Sequence, residues 1–531
     1  MLVKLVEENF VFSLPFHLNH LAKSCGARFH PSTKTWRAKG NKVAAAAILR
    51  NFKPDQIDPA IADMAGESVQ IPELIIDPNS VLKNPLRKRQ MEGLLKAWKT
   101  PAYALFWSMG AGKTITTVAL INLRRQYGMI DRVLIICPTS VKSVWTKEFK
   151  EHSALPMNIQ ILEAGDKVGD PEMLVVGVEA LSQGNAFDKA LEFVNRGKCM
   201  VVVDESSRIK NYKAGRTERC WEIGEAAIYR LILTGTSITQ GLQDLYAQMY
   251  FLDPAIIGEL SFYSFRNKYM IMGGFENRKI IGYVNTEHLL SLIKPYCDVV
   301  KKSDIEGLPE FSFQVRNVKA TPVQIRTCKE LQKEMTTQFG DKVVSVQNAL
   351  EALLRFQQIA GGFDPDGVPV GDKNPKMEEL IEILRDFDGK AIIWARYIPE
   401  INAIFDALIY EFGASSAIKF TGNIPSDERG SLVSLFQENP HVRFFVANQQ
   451  TGGLGLTLTA ATLAIYYSNT FSHEERAQSL DRCHRIGQKN PVLYIDLVSD
   501  LKVDQLVMQA LANKKSMAEY VSDGLSVKDM V

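Results

Sequence analysis

A chain of 531 residues with 46% apolar and 23% charged side chains and a net charge of only +2 fits a soluble globular protein of two or three domains. The near-neutral balance excludes capture of a polyanion by global charge, so any nucleic acid must be met by a local basic surface. No run approaches the roughly 18 apolar residues of a membrane span, Glu7 and Glu8 break the opening apolar run before any signal-like cleavage site, and the seven dispersed cysteines lack the CxxC spacing of a zinc site.

Residues 1–52 read as a small α+β unit. Val3, Leu5, Phe10 and Phe12 suggest strand, 17–24 a short helix, ARFHPSTKTWRA (27–38) two strands around a turn, and 43–52 a second helix. Phe29 and Trp36 flank that turn, with Arg28, His30, Lys34 and Arg37 around them. Aromatics interleaved with bases stack on unpaired bases and hold phosphates; a small core Trp with solvated charges accounts for the same pattern. Residues 53–80, rich in Pro, Asp and Ile without period, read as a linker.

From about 81, short apolar strands alternate with helical stretches, as in a doubly wound parallel sheet. The strand candidates are 102–107, 133–137, 159–162, 174–178, 199–203 and 230–233. A second series follows at 391–394, 416–420, 442–446, 463–467 and 492–497. Between the two, 255–300 and 320–360 read as helical insertions and a connection. The expected fold class is α/β, with two similar lobes.

Three constellations carry chemistry. In WSMGAGKT (107–114) a strand feeds a Gly-rich turn and then a helix. The turn Met109, Gly110, Ala111 and Gly112 points backbone N–H groups at an anion, Lys113 reaches the terminal phosphates of ATP, and the Thr114 hydroxyl meets Mg2+. The full phosphate-turn pattern wants Gly where Trp107 stands, and a chance turn explains the stretch taken alone. In MVVVDESSRIKN (200–211) an apolar strand ends in two carboxylates. Asp204 there holds Mg2+ through water and Glu205 polarises the attacking water; an acidic loop is the plain alternative. In QSLDRCHRIGQ (478–488), Gln478, Arg482 and Arg485 share one face if the stretch is helical. Such a face stabilises transition-state charge on a γ-phosphate, and a solvated charged helix would read the same way.

Order and spacing of these segments resemble the Snf-type (SWI/SNF-related) branch of superfamily-two helicase-like ATPases over about 81–520. CPTSVKSVWTKEF (137–149), LTGTSITQGLQDLYAQMYFLDP (233–254), KAIIWARY (390–397), TGGLGLTLTAA (451–461) and RCHRIGQ (482–488) look like its motifs Ia, III, IV, V and VI. NPLRKRQ (84–90) resembles its adenine-recognition segment, with Gln90 reading the base. Trp107-Ser108 replaces the family's usual acidic pair, Ser206-Ser207 its Ala-His, Ser237 its Pro and Thr457 its Asn. The N-terminal GARFHPSTKTWRA resembles the HARP domain of annealing helicases, where such a module adds recognition of forked DNA.

The resemblance implies two RecA-like lobes with ATP between them, duplex DNA across both, and a monomeric motor. It divides the chain into a HARP-like domain (1–52), a linker (53–80), lobe 1 (81–300, helical insertion about 255–300), a connecting strand and helical protrusion (301–375), and lobe 2 with a C-terminal brace helix (376–531). DNA phosphates are expected on Ser140, Lys142, Thr421 and Thr451, with Phe29 and Trp36 on unpaired bases. The implied activity is ATP-dependent translocation on double-stranded DNA that remodels forks, reanneals strands or strips bound proteins. A strand-separating helicase and a non-cycling DNA-binding scaffold are the alternatives. The lack of long tails and chromatin-reading modules points to a cytoplasmic protein of bacterial or viral source.

Overall fold

Phe10 and Phe12 stand on the same face of one short strand, and both are buried at the centre of the first sheet. Its strands β1 (Val3–Val6), β2 (Asn9–Phe12), β3 (Arg28–His30) and β4 (Thr35–Lys39) run antiparallel in the order β1-β2-β4-β3. In this computed structural model the described residues are 2–40, 42–65, 69–235, 241–274, 279–305, 307–339, 346–425, 428–452 and 456–513. Helices Asn19–Ser24 and Lys42–Asn51 cover the first sheet through Ala22, Ala45 and Ile48.

The stretch that reads as a linker is ordered at its start. Ile57 and Ile61, one helical turn apart on either side of the start of helix Pro59–Ala65, are buried in the same core, and the Asp58 N–H donates to the Val3 carbonyl at 3.0 Å. Two isoleucines are too few to register as a period, which is why composition suggested linker. Leu260, far along the chain, packs against this core and donates its N–H to the Ser24 carbonyl at 3.1 Å. These elements belong to a unit spanning Met1–Ile305; a second unit spans Glu306–Val531.

The rest of the first unit is built on a seven-stranded, wholly parallel sheet. It comprises β5 (Ala102–Trp107), β6 (Arg132–Cys137), β7 (Ile159–Ile161), β8 (Met173–Gly177), β9 (Cys199–Asp204), β10 (Tyr229–Leu233) and a later strand, in the order given below. A hairpin, β11 (Met270–Gly273) and β12 (Lys279–Tyr283), and then β13 (Cys297–Val300) interrupt the region that reads as helical insertion. β13 returns to the edge of the large sheet, giving the order β13-β5-β10-β9-β6-β8-β7. Near-continuous Val, Ile and Leu runs are what a sheet covered on both faces requires, and β5 and β8 are buried at every position.

The second unit repeats the plan with β14 (Phe311–Val318), β15 (Lys390–Trp394), β16 (Ala417–Phe420), β17 (Phe444–Ala447), β18 (Ala461–Tyr466) and β19 (Val492–Ser499). All neighbours are parallel in the order β14-β19-β18-β15-β17-β16. The strand expected as a connector is therefore the edge strand β14, in register with β19 from Phe311 opposite Val492 to Val318 opposite Ser499. Two parallel-sheet lobes, the expected architecture, are present.

One buried acid makes the second unit pH-sensitive. Glu400 is fully buried; its Oε2 accepts from Ser468 Oγ at 2.5 Å and Tyr397 N at 3.2 Å. Burial raises its pKa from 4.5 to about 7 against the opposing hydrogen bond from Ser468 and the charge of Lys376. A carboxyl whose folded pKa is raised stabilises below its unfolded pKa and loses that contribution as pH rises through the folded value. The shift is worth about 3 kcal/mol, so the stability of the second unit, read by urea unfolding, should fall between about pH 4.5 and 7. Glu400→Gln should flatten that dependence, and an unchanged profile would refute the assignment.

Candidate functional site

The phosphate turn follows directly from strand and helix geometry. β5 ends at Trp107, Gly110 and Gly112 turn the chain with φ of +76° and +91°, and helix Lys113–Gln126 starts at once. Positive φ favours glycine. The Ala111 N–H closes the turn on the Ser108 carbonyl at 3.2 Å, and Lys113 Nζ donates to the Trp107 carbonyl at 2.8 Å. The N–H groups of the helix start and the lysine ammonium therefore sit together, the arrangement that accepts phosphate.

Gln90, in helix Lys88–Trp98, is brought to this turn and is buried. Its Nε2 donates to the Ala111 carbonyl at 3.0 Å, and its Oε1 accepts the Arg87 N–H at 2.9 Å. A side-chain amide has two donor and two acceptor positions, and these two bonds use one of each. The contact is close: a Cβ added at Gly112 would lie 2.0 Å from Gln90 Nε2. Met109 sits against the end of β10, where a Cβ at Gly235 would meet its Cγ at 3.2 Å.

Asp204 ends β9, two strands from β5 across β10. Its Oδ2 accepts the Trp145 indole N–H at 2.8 Å and its Oδ1 the Glu205 N–H at 3.0 Å. Burial raises its pKa, against the lowering effects of Trp145, the Lys113 charge and the Glu205 N–H. Glu205 adopts φ +50°, ψ +56°, left-handed for a non-glycine residue, and the Thr234 hydroxyl at the end of β10 lies 3.5 Å from its Oε2. Ser206 and Ser207, the departures from the family motif, are buried, and Ser206 Oγ donates to Gln248 Oε1 at 2.7 Å. One carboxylate and the Thr114 hydroxyl are hard oxygen donors, few in number, which suits Mg2+ that also binds substrate phosphates.

In the second unit the expected three-residue helix face is not formed. Helix His473–Leu480 carries Gln478 and stops before Arg482 and Arg485. The Arg482 carbonyl accepts the Leu458 N–H at 2.9 Å, which pulls it out of the helical ladder. The two arginines still converge: Arg482 Nη1 and Arg485 Nη1 donate to the Leu456 carbonyl at 3.4 and 3.3 Å. Arg482 Nε donates to the Gln478 carbonyl at 3.0 Å, so all three remain neighbours by a different route.

The expected DNA residues divide. Ser140 is exposed on the turn Thr139–Val141. Lys142 is turned inward: its ammonium donates to Glu163 Oε1 at 2.6 Å and the Leu162 carbonyl at 3.2 Å. Pairing with an acid removes it from the phosphate-binding set, a correction that helix periodicity alone could not supply. Thr421 is buried just after β16, and Thr451 lies on the helix Gln449–Gly452 with its side chain outside the described residues. Ser237 also lies outside the described residues. In the N-terminal sheet Phe29 is half-exposed with its ring centroid 5.5 Å from that of Trp36, and Lys23 Nζ stands 5.3 Å over the indole. Sequence reading missed Trp145, although it lies within the motif Ia stretch, and Asp298, which no motif marks.

A family model described as SNF2-related domain matches residues 94–361, and one described as helicase conserved C-terminal domain matches 375–487. A SWI/SNF-related matrix-associated actin-dependent regulator of chromatin subfamily A-like protein 1 homolog of Caenorhabditis elegans is 25% identical over 96% of the chain and 74% of its own length. A probable chromatin-remodeling complex ATPase chain of Oryza sativa subsp. japonica is 23% identical over 84% and 42%, and the transcription regulatory protein SNF2 of Saccharomyces cerevisiae 24% over 82% and 28%. The chain thus spans under half of the latter two relatives. A Sulfolobus solfataricus SWI2/SNF2 ATPase core, solved in complex with dsDNA, is 24% identical over 86% of this chain and 98% of its own, with a TM-score of 0.41. These curated relatives are eukaryotic, and two are named for chromatin. That overturns the expectation of a cytoplasmic protein of bacterial or viral source. Among the described residues no helix is long and apolar enough to cross a membrane.

Proposed function

The chain belongs to the SNF2-related family of helicase-like, DNA-dependent ATPases, and from that footing we propose that it is a motor translocating on double-stranded DNA, remodelling or reannealing forked or branched DNA or displacing bound proteins. The observation that carries the reading is that the glycine turn after β5 and Asp204 at the end of β9 stand at the same edge of one parallel sheet, with only β10 between them. Met109 to Thr114 cradle the triphosphate, Gln90 reads the adenine, Thr114 and Asp204 hold Mg2+, and Glu205 orients water. Mg2+ held there would supply neutralisation of phosphate charge. Arg482 and Arg485, with Gln478 beside them, supply transition-state charge.

DNA is engaged by phosphate contacts at Ser140, Thr421 and Thr451, which are sequence-independent and salt-sensitive. Phe29 and Trp36 stack on unpaired bases at a fork, with Lys23 close enough to meet the adjoining phosphate. ATP turnover should rise on duplex DNA and rise further on forked DNA, and a triplex-forming strand should be displaced without separation of the duplex. Unwinding of the duplex without triplex displacement would instead make it a strand-separating helicase. Turnover that is absent with every DNA would make it a scaffold.

A further inference from the structure

Asp298 lies in β13, outside every motif, and its side chain is only 4% exposed. Three side chains converge on it. Arg89 Nη2 lies 3.0 and 2.9 Å from its two oxygens, Lys96 Nζ is 2.6 Å from Oδ1, and the Trp107 indole N–H donates to Oδ2 at 2.7 Å. Arg89 and Lys96 are two turns apart on one face of helix Lys88–Trp98, and Trp107 is the last residue of the strand that feeds the phosphate turn. One carboxylate therefore pins the helix that carries Gln90, the strand end that carries the turn, and the edge strand between them and the connector.

The packing around this anchor leaves little slack. A Cβ at Gly93 would fall 2.1 Å from Trp107 Cζ2, so the helix rests directly on the indole. At Gly112 the turn rests on the Gln90 amide with the same closeness. Trp107 is a strut: its ring sets the height of the helix, and its N–H is held by Asp298. A hydrogen bond to an ionised acceptor contributes more than a neutral one and costs more when lost.

We infer that Asp298 is a positioning residue for purine selection, fixing Gln90 against the Ala111–Gly112 turn through Arg89, Lys96 and Trp107. This deepens the ATP reading of the site and rests on it. The Gln90 amide offers one donor and one acceptor to the purine. The edge of ATP presents a donor at its exocyclic amine, where GTP presents an acceptor carbonyl. Discrimination between the two depends on holding that amide in place. Asp298 itself touches neither nucleotide nor reacting atoms.

The test uses the full chain with duplex DNA and compares steady-state hydrolysis of ATP and GTP. Asp298→Asn should raise KM for ATP about tenfold, leave kcat within about twofold, and cut the ATP-over-GTP preference by a similar factor. Trp107→Phe removes the indole N–H that Asp298 holds together with the part of the ring beneath Gly93, and should move the same parameters in the same direction by at least about threefold; it keeps the test decisive if the asparagine variant does not fold. Gln90→Ala is the control for the underlying reading. If it keeps the wild-type preference, the ATP assignment at this site fails. If Gln90→Ala loses the preference while Asp298→Asn and Trp107→Phe retain it, or if they lower kcat at an unchanged KM, the positioning role is overturned.

Discussion

Lys113→Ala should abolish DNA-stimulated ATP turnover, lowering it by at least about 100-fold. The lysine acts in two ways. Its ammonium is placed at the mouth of the turn by the Trp107 carbonyl at 2.8 Å, where it would meet the terminal phosphates. Its charge also lowers the pKa of Asp204, which burial raises. Removing it leaves the phosphates short of a cation. The fold should survive, because the side chain is only half-buried at a helix start; thermal unfolding should shift by no more than about 1 kcal/mol. Phosphate release with duplex DNA is the measurement, and undiminished turnover would sink the site assignment.

Arg476→Ala should destabilise the second unit by about 3–5 kcal/mol. Arg476 and Asp496 are both largely buried and form a bidentate pair at 2.7 and 2.9 Å. The guanidinium also lies 3.2 Å from the Tyr466 ring centroid and donates to Asn469 Oδ1. Without it the Asp496 charge is left in the core, and desolvation costs more than the lost attraction. Pairwise replacement by apolar residues, Arg476→Met with Asp496→Leu, should recover most of the loss. Urea unfolding followed by hydrogen exchange in β18 and β19 separates these outcomes; a single variant as stable as the parent would refute the argument.

Legibility in the sequence followed the strength of the pattern. Parallel strands buried on both faces are apolar runs, so β5, β6, β8, β9 and β15 show plainly in the primary structure. β13 does not, because Asp298 breaks its run, and that acid is the group on which Arg89, Lys96 and Trp107 converge. The glycine turn at 109–112 and the acidic pair Asp204-Glu205 are local in sequence and stand out there. Lys142 was misread because its partner, Glu163, lies in a loop about twenty residues on, and no spacing rule connects the two. Arg482 and Arg485 are neighbours through a tertiary contact and not through helical period: both guanidinium groups donate to the Leu456 carbonyl.

β13 has a mechanical consequence. Val300 lies opposite Trp107 in register, its carbonyl accepts the Ser108 N–H at 2.8 Å, and the chain leaves the first unit five residues later. Tension drawn along that exit loads β13 against β5 in shear, so the ladder bonds bear it together and do not open one at a time. The first backbone group beyond the ladder is Ser108, at the start of the phosphate turn. The exit from the first unit is thus tied through β13 to the first residue of the glycine turn.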